Sequence, residues 1–114
     1  MVILGSTFQS NHLYVVISDP AKHAGKCVLV NVTTQRATSD TTCVLAAADF
    51  PSFIRHASVV NYSDALLAAQ ASIEKIIQSG EVRSHPEMDV VVLRRIVKGA
   101  LSSPAFPTGL KKYL

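Results

Sequence analysis

Two apolar stretches near the start of the chain constrain the fold most. Asn11–Asp19 runs Asn-His-Leu-Tyr-Val-Val-Ile-Ser-Asp, and Lys26–Thr34 runs Lys-Cys-Val-Leu-Val-Asn-Val-Thr-Thr. β-branched and aromatic residues fill the first, with a polar residue at each end, which predicts a strand buried on both faces or nearly so, and the second reads as its strong partner strand. The loop between them, Asp19 to Gly25, carries Pro and Gly punctuation, and its length is compatible with an antiparallel pair. Such strands need further partners. Met1–Leu4 supplies a brief first strand, Thr41–Leu45 a third apolar segment and Ala57–Tyr62 a fourth. Between the last two, Pro51 breaks the chain, and Phe50, Phe53 and Ile54 are expected in the core.

The period then changes. Ser63 stands as a helix N-cap with Asp64 in the first turn, and Leu66, Ala69, Ile73, Ile76 and Ile77 form one stripe. Gly80 is placed for a left-handed stop. Ser84-His-Pro-Glu87 matches a capping box, which predicts a second helix with Val90, Leu93, Ile96, Val97 and Leu101 inward. The Val90-Val91-Val92 run leaves a strand open as the alternative there. Ser102-Ser103-Pro104 ends this helix. Strands followed by helices, without alternation, predict an α+β domain: an antiparallel sheet curled into a small barrel with two C-terminal helices. At 114 residues one domain is expected, over 1–104, with 105–114 as a basic tail.

Composition narrows the function. With 48% hydrophobic and 17% charged residues the chain has material for a core. No run reaches the roughly 18 apolar residues of a membrane span, and the start lacks the basic n-region of a signal peptide. A cytoplasmic protein without membrane contact is therefore expected. Cys27 and Cys43 each sit in an apolar run and read as buried thiols, with a cross-strand disulfide or a ligand pair as the alternative. The four histidines show no ligand spacing, so no metal and no cofactor are expected. Net charge is uneven. Residues 90–114 carry +5 through Arg94, Arg95, Lys98, Lys111 and Lys112, whereas 1–89 hold six basic and eight acidic groups. That asymmetry suits a polyanion or an acidic partner, and equally a solvated helix face.

No Gly-rich phosphate loop, GxSxG elbow or HExxH is present. The remaining chemistry lies at strand ends. His12 opens one strong strand and Thr33-Thr34 closes the next, so an antiparallel pairing brings them to one end of the sheet, with His56 near the same rim. A histidine exchanges protons near neutral pH, and hydroxyls bond phosphate oxygens. Read as structure alone, the same residues are a hydrogen-bonded strand-end histidine and two good strand formers.

The succession His12-Leu-Tyr-Val-Val-Ile-Ser18, Val-Leu-Val-Asn-Val-Thr33-Thr34, Cys43-Val-Leu and Ala57-Ser-Val-Val-Asn-Tyr-Ser63 resembles the MazF/PemK toxin endoribonucleases over residues 11–65. The resemblance implies an SH3-like barrel, often a homodimer, that cleaves single-stranded RNA without metal and is neutralised by a protein antitoxin. It aligns Thr33 with the family's catalytic threonine and Thr34 with its neighbouring serine. His12 stands where the family has arginine and Leu13 where it has proline. Only eleven residues precede His12, so the family's first strand and long loop are compressed. On this basis His12, Thr33 and His56 are the expected catalytic residues. Thr34, Arg36, Arg55, Arg94, Arg95 and Lys98 are the expected RNA contacts. The alternative is a non-catalytic SH3-like module that binds nucleic acid or a protein partner.

Overall fold

The computed structural model describes residues 2–5, 12–51, 53–85 and 88–114. They form an α+β domain built on one antiparallel sheet. Its strands are β1 (Val2–Gly5), β2 (His12–Val16), β3 (Lys26–Thr34), β4 (Val44–Leu45), β5 (Ser58–Ala69) and β6 (Val82–His85), in the order β4-β5-β3-β2-β1-β6. Two helices complete it, α1 (Gln70–Gln78) and α2 (Val90–Ser102).

The two apolar stretches occupy the middle of the sheet, as expected from their composition. Leu13 pairs with Val32 and Val16 with Leu29. Six consecutive β3 residues, Cys27 to Val32, are buried, because both faces of the strand are covered. Val28, Val30 and Val32 point into the main core with Leu13, Val15, Val60, Tyr62 and α2. Cys27 and Leu29 point the other way, against Ile73 and Val82. Each helix thus seals one face. The cysteines are both buried and both free, so the disulfide alternative is not realised. Phe50 and Ile54 are buried and Phe53 packs against the core.

Four expectations need correction. The helix expected from Ser63 starts at Gln70. Residues 63–69 continue β5 instead, because Leu66, Leu67 and Ala68 pair with Leu29, Val28 and Cys27. Four ladder residues, Leu66 to Ala69, outweigh one capping hydroxyl, and Ser63 Oγ instead donates to Asn61 Oδ1 at 2.8 Å. Ser84 lies in β6 rather than capping a helix. Asp89 caps α2, its Oδ1 accepting from Val91 N at 2.8 Å. The inward stripe of α2 is Val92, Ile96, Gly99 and Ala100, whereas Val90 and Leu101 are exposed. Residues 105–114 are no free tail. Phe106 is buried, Thr108–Tyr113 form a 3₁₀ helix, and Ala105, Leu110, Tyr113 and Leu114 pack on the core. Smaller adjustments follow the same pairing logic: the third apolar segment is a strand only over Val44–Leu45, and Gly80 does take the left-handed conformation after α1.

Tyr62 explains the phase of α2. The β3–β5 register jumps, Leu29 facing Leu66 and Asn31 facing Asn61, so residues 62–65 lie opposite Val30 alone. This bulge bends β5, and Tyr62 enters the core with its hydroxyl donating to the Ile96 carbonyl at 2.7 Å. Gly99 makes room for the phenol. A Cβ there would overlap the hydroxyl and lie 2.9 Å from Cζ. Alanine in a helix interior gains about 1 kcal/mol over glycine, but overpacking costs roughly 1–3 kcal/mol. Gly99→Ala should therefore lower the thermal midpoint by several degrees. In a Tyr62→Phe background the same change should cost less, since the overlapping atom is gone. Calorimetry on the four proteins of this cycle checks both statements, and a stabilised Gly99→Ala would contradict the packing described.

Candidate functional site

One end of the sheet gathers the polar strand termini. Gly5 pairs with His12, and one step beyond the Leu13–Val32 pair lies Thr33, next to the His12 position. Thr33 pairs in turn with Val59 and Thr34 with Ser58. The Gln35 amide donates to the Ala57 carbonyl at 3.0 Å, and Ser58 Oγ donates to the His56 carbonyl at 2.9 Å. Antiparallel register thus brings His12, Thr33, Thr34, Ser58 and the approach to His56 to one edge of the molecule. His56, Arg55, Arg36 and Thr34 are exposed and Thr33 is half-buried. Residues 35–40 form a hydroxyl-rich turn: Arg36 N donates to Ser39 Oγ at 2.8 Å and Ser39 N to the Arg36 carbonyl at 3.1 Å.

That turn closes a hollow of about 360 Å³ over the sheet end. Thr33, Val59, Asn61 and Ser63 line it from the strands, Thr38, Ser39 and Asp40 from the turn, and Ala105 from the segment after α2. Alternation along β3 and β5 puts these strand residues on one face. Asn61 is held by two bonds, donating from Nδ2 to Asp64 Oδ2 at 2.9 Å and accepting from Ser63 Oγ. Its ladder partner Asn31 is buried, and the Asn31 Oδ1 atom has no donor.

Asp40 is the charged group of the hollow. Its Oδ1 accepts from Thr42 N at 2.9 Å and Thr42 Oγ1 at 2.5 Å, and its Oδ2 from Ser103 Oγ at 2.5 Å. Burial alone would raise its pKa, but the Ser103 and Thr42 bonds outweigh this and hold it below 3.8. Ser103 in turn accepts from Ala105 N at 3.1 Å, so the carboxylate ties the turn to the end of α2.

The cations of α2 are sorted differently. Arg95 is committed: it pairs with Asp49 at 2.8 Å and donates to the Val44 carbonyl at 2.8 Å, clamping β4 and its following 3₁₀ turn to α2. Asp49 also accepts from Ala46 N. That backbone bond is the main reason its pKa is depressed; burial opposes it and Arg95 adds to it. Arg95 and Lys98 line a second hollow of about 310 Å³ with Thr42, Cys43, Gly99 and Ser102. There the Cys43 thiol is pushed up by burial, which disfavours the reactive thiolate. Arg94 is exposed on the same helix. Among the described residues, the Arg94 and Lys98 side chains make no hydrogen bond or ion pair.

Of the expected site residues, then, Thr33 enters the hydroxyl-lined hollow, His12 and Thr34 share its sheet end, and Arg36 holds its turn through the backbone. Arg95 is structural. Asp40, Thr38, Ser39, Asn61 and Ser63 were not foreseen as site residues. A signal existed in the two asparagines, each interrupting an apolar strand where asparagine is disfavoured. Among the described residues no three His, Cys, Asp or Glu side chains gather as a metal site, and no helix is long and apolar enough to cross a membrane. No family model, no curated protein and no solved structure matches the chain.

Both carboxylates that pin α2 have folded pKa values below their unfolded value of 3.8. Their stabilisation is thus present above that value and is lost as pH falls through the folded pKa. Asp49→Asn should cost under about 1 kcal/mol at neutral pH, because the pair is partly exposed. The difference from wild type should stay constant from pH 5 to pH 8, roughly, and shrink below about pH 4. Urea titrations of both proteins across that range measure it. A gap that widens in acid would refute the assignment.

Proposed function

We propose that the chain is an RNA-cleaving module of the SH3-like barrel type, similar in chemistry to the MazF/PemK toxins. The observation that carries the reading is the register, in which the His12 position adjoins Thr33 and Thr34 pairs with Ser58, two residues from His56. Two histidine positions and a threonine at one end of the sheet supply the groups that a metal-independent transesterification needs. One histidine takes the proton of an RNA 2′-hydroxyl, and that oxygen bonds to the adjacent phosphorus. The phosphorus–5′-oxygen bond breaks, and the other histidine protonates the leaving oxygen. Thr33 donates to a non-bridging oxygen where negative charge grows. Arg36 and Arg55, exposed on the flanking turns, supply the cation and Thr34 a further hydroxyl. The products are a 2′,3′-cyclic phosphate and a 5′-hydroxyl. A homodimer in the cytoplasm held in check by a protein antitoxin fits this reading.

The test is direct. Purified protein is incubated with unstructured RNA in excess chelator, and the ends are mapped. Cleavage is expected to leave cyclic-phosphate ends. It should vanish on oligonucleotides lacking the 2′-hydroxyl, and it should fall by about a hundredfold or more in His12→Ala and His56→Ala, as for loss of a general acid or base. Intact RNA across a wide range of pH and protein concentration would sink the catalytic reading.

A second reading, a non-catalytic nucleic-acid-binding module, is favoured by one feature: the unpaired cations Arg94 and Lys98 on the outer side of α2. Phosphate contacts give salt-dependent, sequence-neutral affinity. Replacing both with glutamine should weaken binding and reduce the slope of log affinity against log salt by about 2, near one per lost contact. An unchanged slope would remove these residues from the interface.

A further inference from the structure

The hollow beside Thr33 is built from acceptors. Among the described residues, no lysine or arginine lines it, and its one charged group is the Asp40 carboxylate. A carboxylate offers about four acceptor positions. Thr42 N, Thr42 Oγ1 and Ser103 Oγ fill three, which leaves one on Oδ2. Asn61 keeps a second acceptor position on Oδ1 and a second amide hydrogen. On the same face, one strand over, the buried Asn31 Oδ1 lacks a donor altogether. A phosphate is repelled at the Asp40 side of the hollow, away from the Thr33 hydroxyl. A neutral group that donates is drawn in, with Val59 and Ala105 as apolar walls for a flat ring.

We propose that this hollow binds an amino-bearing base of single-stranded RNA, with the amino group donating to Asp40 and a ring acceptor meeting the Asn61 amide, and that it discriminates against uracil. The inference rests on the RNA reading above and adds its selectivity. Cytosine makes the sharpest comparison. It differs from uracil by an amino group and an acceptor nitrogen where uracil has a carbonyl and an N–H. A uracil therefore sets a carbonyl oxygen against the carboxylate and an N–H against the Asn61 amide, reversing both bonds. The carboxylate acts without rearranging, because Thr42 and Ser103 already hold it.

The experiment uses labelled oligodeoxycytidylate and oligodeoxyuridylate of equal length, which lack the 2′-hydroxyl and so cannot be cut. Fluorescence anisotropy gives the two dissociation constants. Phosphate contacts are the same in both, so their ratio isolates the base. Wild type should prefer cytidylate by about tenfold, the worth of one charge-assisted hydrogen bond. Asp40→Asn should bring the ratio near one, since the amide can turn its N–H₂ to a uracil carbonyl. Asn61→Ala, on the strand rather than the turn, should also reduce it if Asp40→Asn perturbs the turn. Equal wild-type affinities, a preference that survives both substitutions, or no binding of either oligomer would each overturn the proposal. Cleavage of ribo-oligomers is scored separately. RNA cut without base preference leaves the catalytic reading standing and removes this one.

Discussion

The hydrogen bond from Tyr62 to the Ile96 carbonyl joins the bent part of the sheet to α2, and the rest of the architecture depends on it. A buried phenol must have an acceptor, and a helix carbonyl is available only if the helix backbone comes close. Gly99 permits that approach, and Phe106 packs against the ring edge at 6.2 Å between centroids. The bulge in β5 falls opposite Val30, where Tyr62 enters the core. Burial pushes the hydroxyl pKa up, and Cys43 adds to this, so the donor stays protonated at any ordinary pH.

This constraint also separates what was legible in the sequence from what was not. β2 and β3 were legible because central strands covered on both faces are apolar throughout, and local composition suffices to mark them. The start of α1 was not. Ser63-Asp64 looks like a cap, but Leu66, Leu67 and Ala68 had an unsatisfied partner in the first half of β3, far away in sequence. The phase of α2 was misread for a related reason. A stripe drawn through the largest side chains puts Val90 and Leu101 inward, whereas the seam runs through the smallest residues, Gly99 and Ala100, and Gly99 admits a tyrosine from another element. The segment after Pro104 is basic and short, yet Phe106 carries enough apolar surface to bring it back onto the core.

The candidate site divides in the same way. His12, Thr33 and Thr34 could be placed together from antiparallel pairing alone, since strand order and register follow from the two apolar runs. The hollow could not, because it needs the 35–43 turn folded over the sheet and fastened by Asp40 to Ser103, a contact between residues 63 positions apart. Nothing local in Thr-Ser-Asp-Thr-Thr distinguishes that turn from a solvated loop.

The anchoring of Asp40 has a consequence for how charge is arranged. Three donors hold the carboxylate ionised and in place while one acceptor position stays open. The unpaired cations, Arg94 and Lys98, sit on α2, and Thr42 lies between the two regions, bonded to Asp40 on one side and lining the Lys98 hollow on the other. The Asp40 carboxylate and Lys98 thus line different hollows, joined through Thr42.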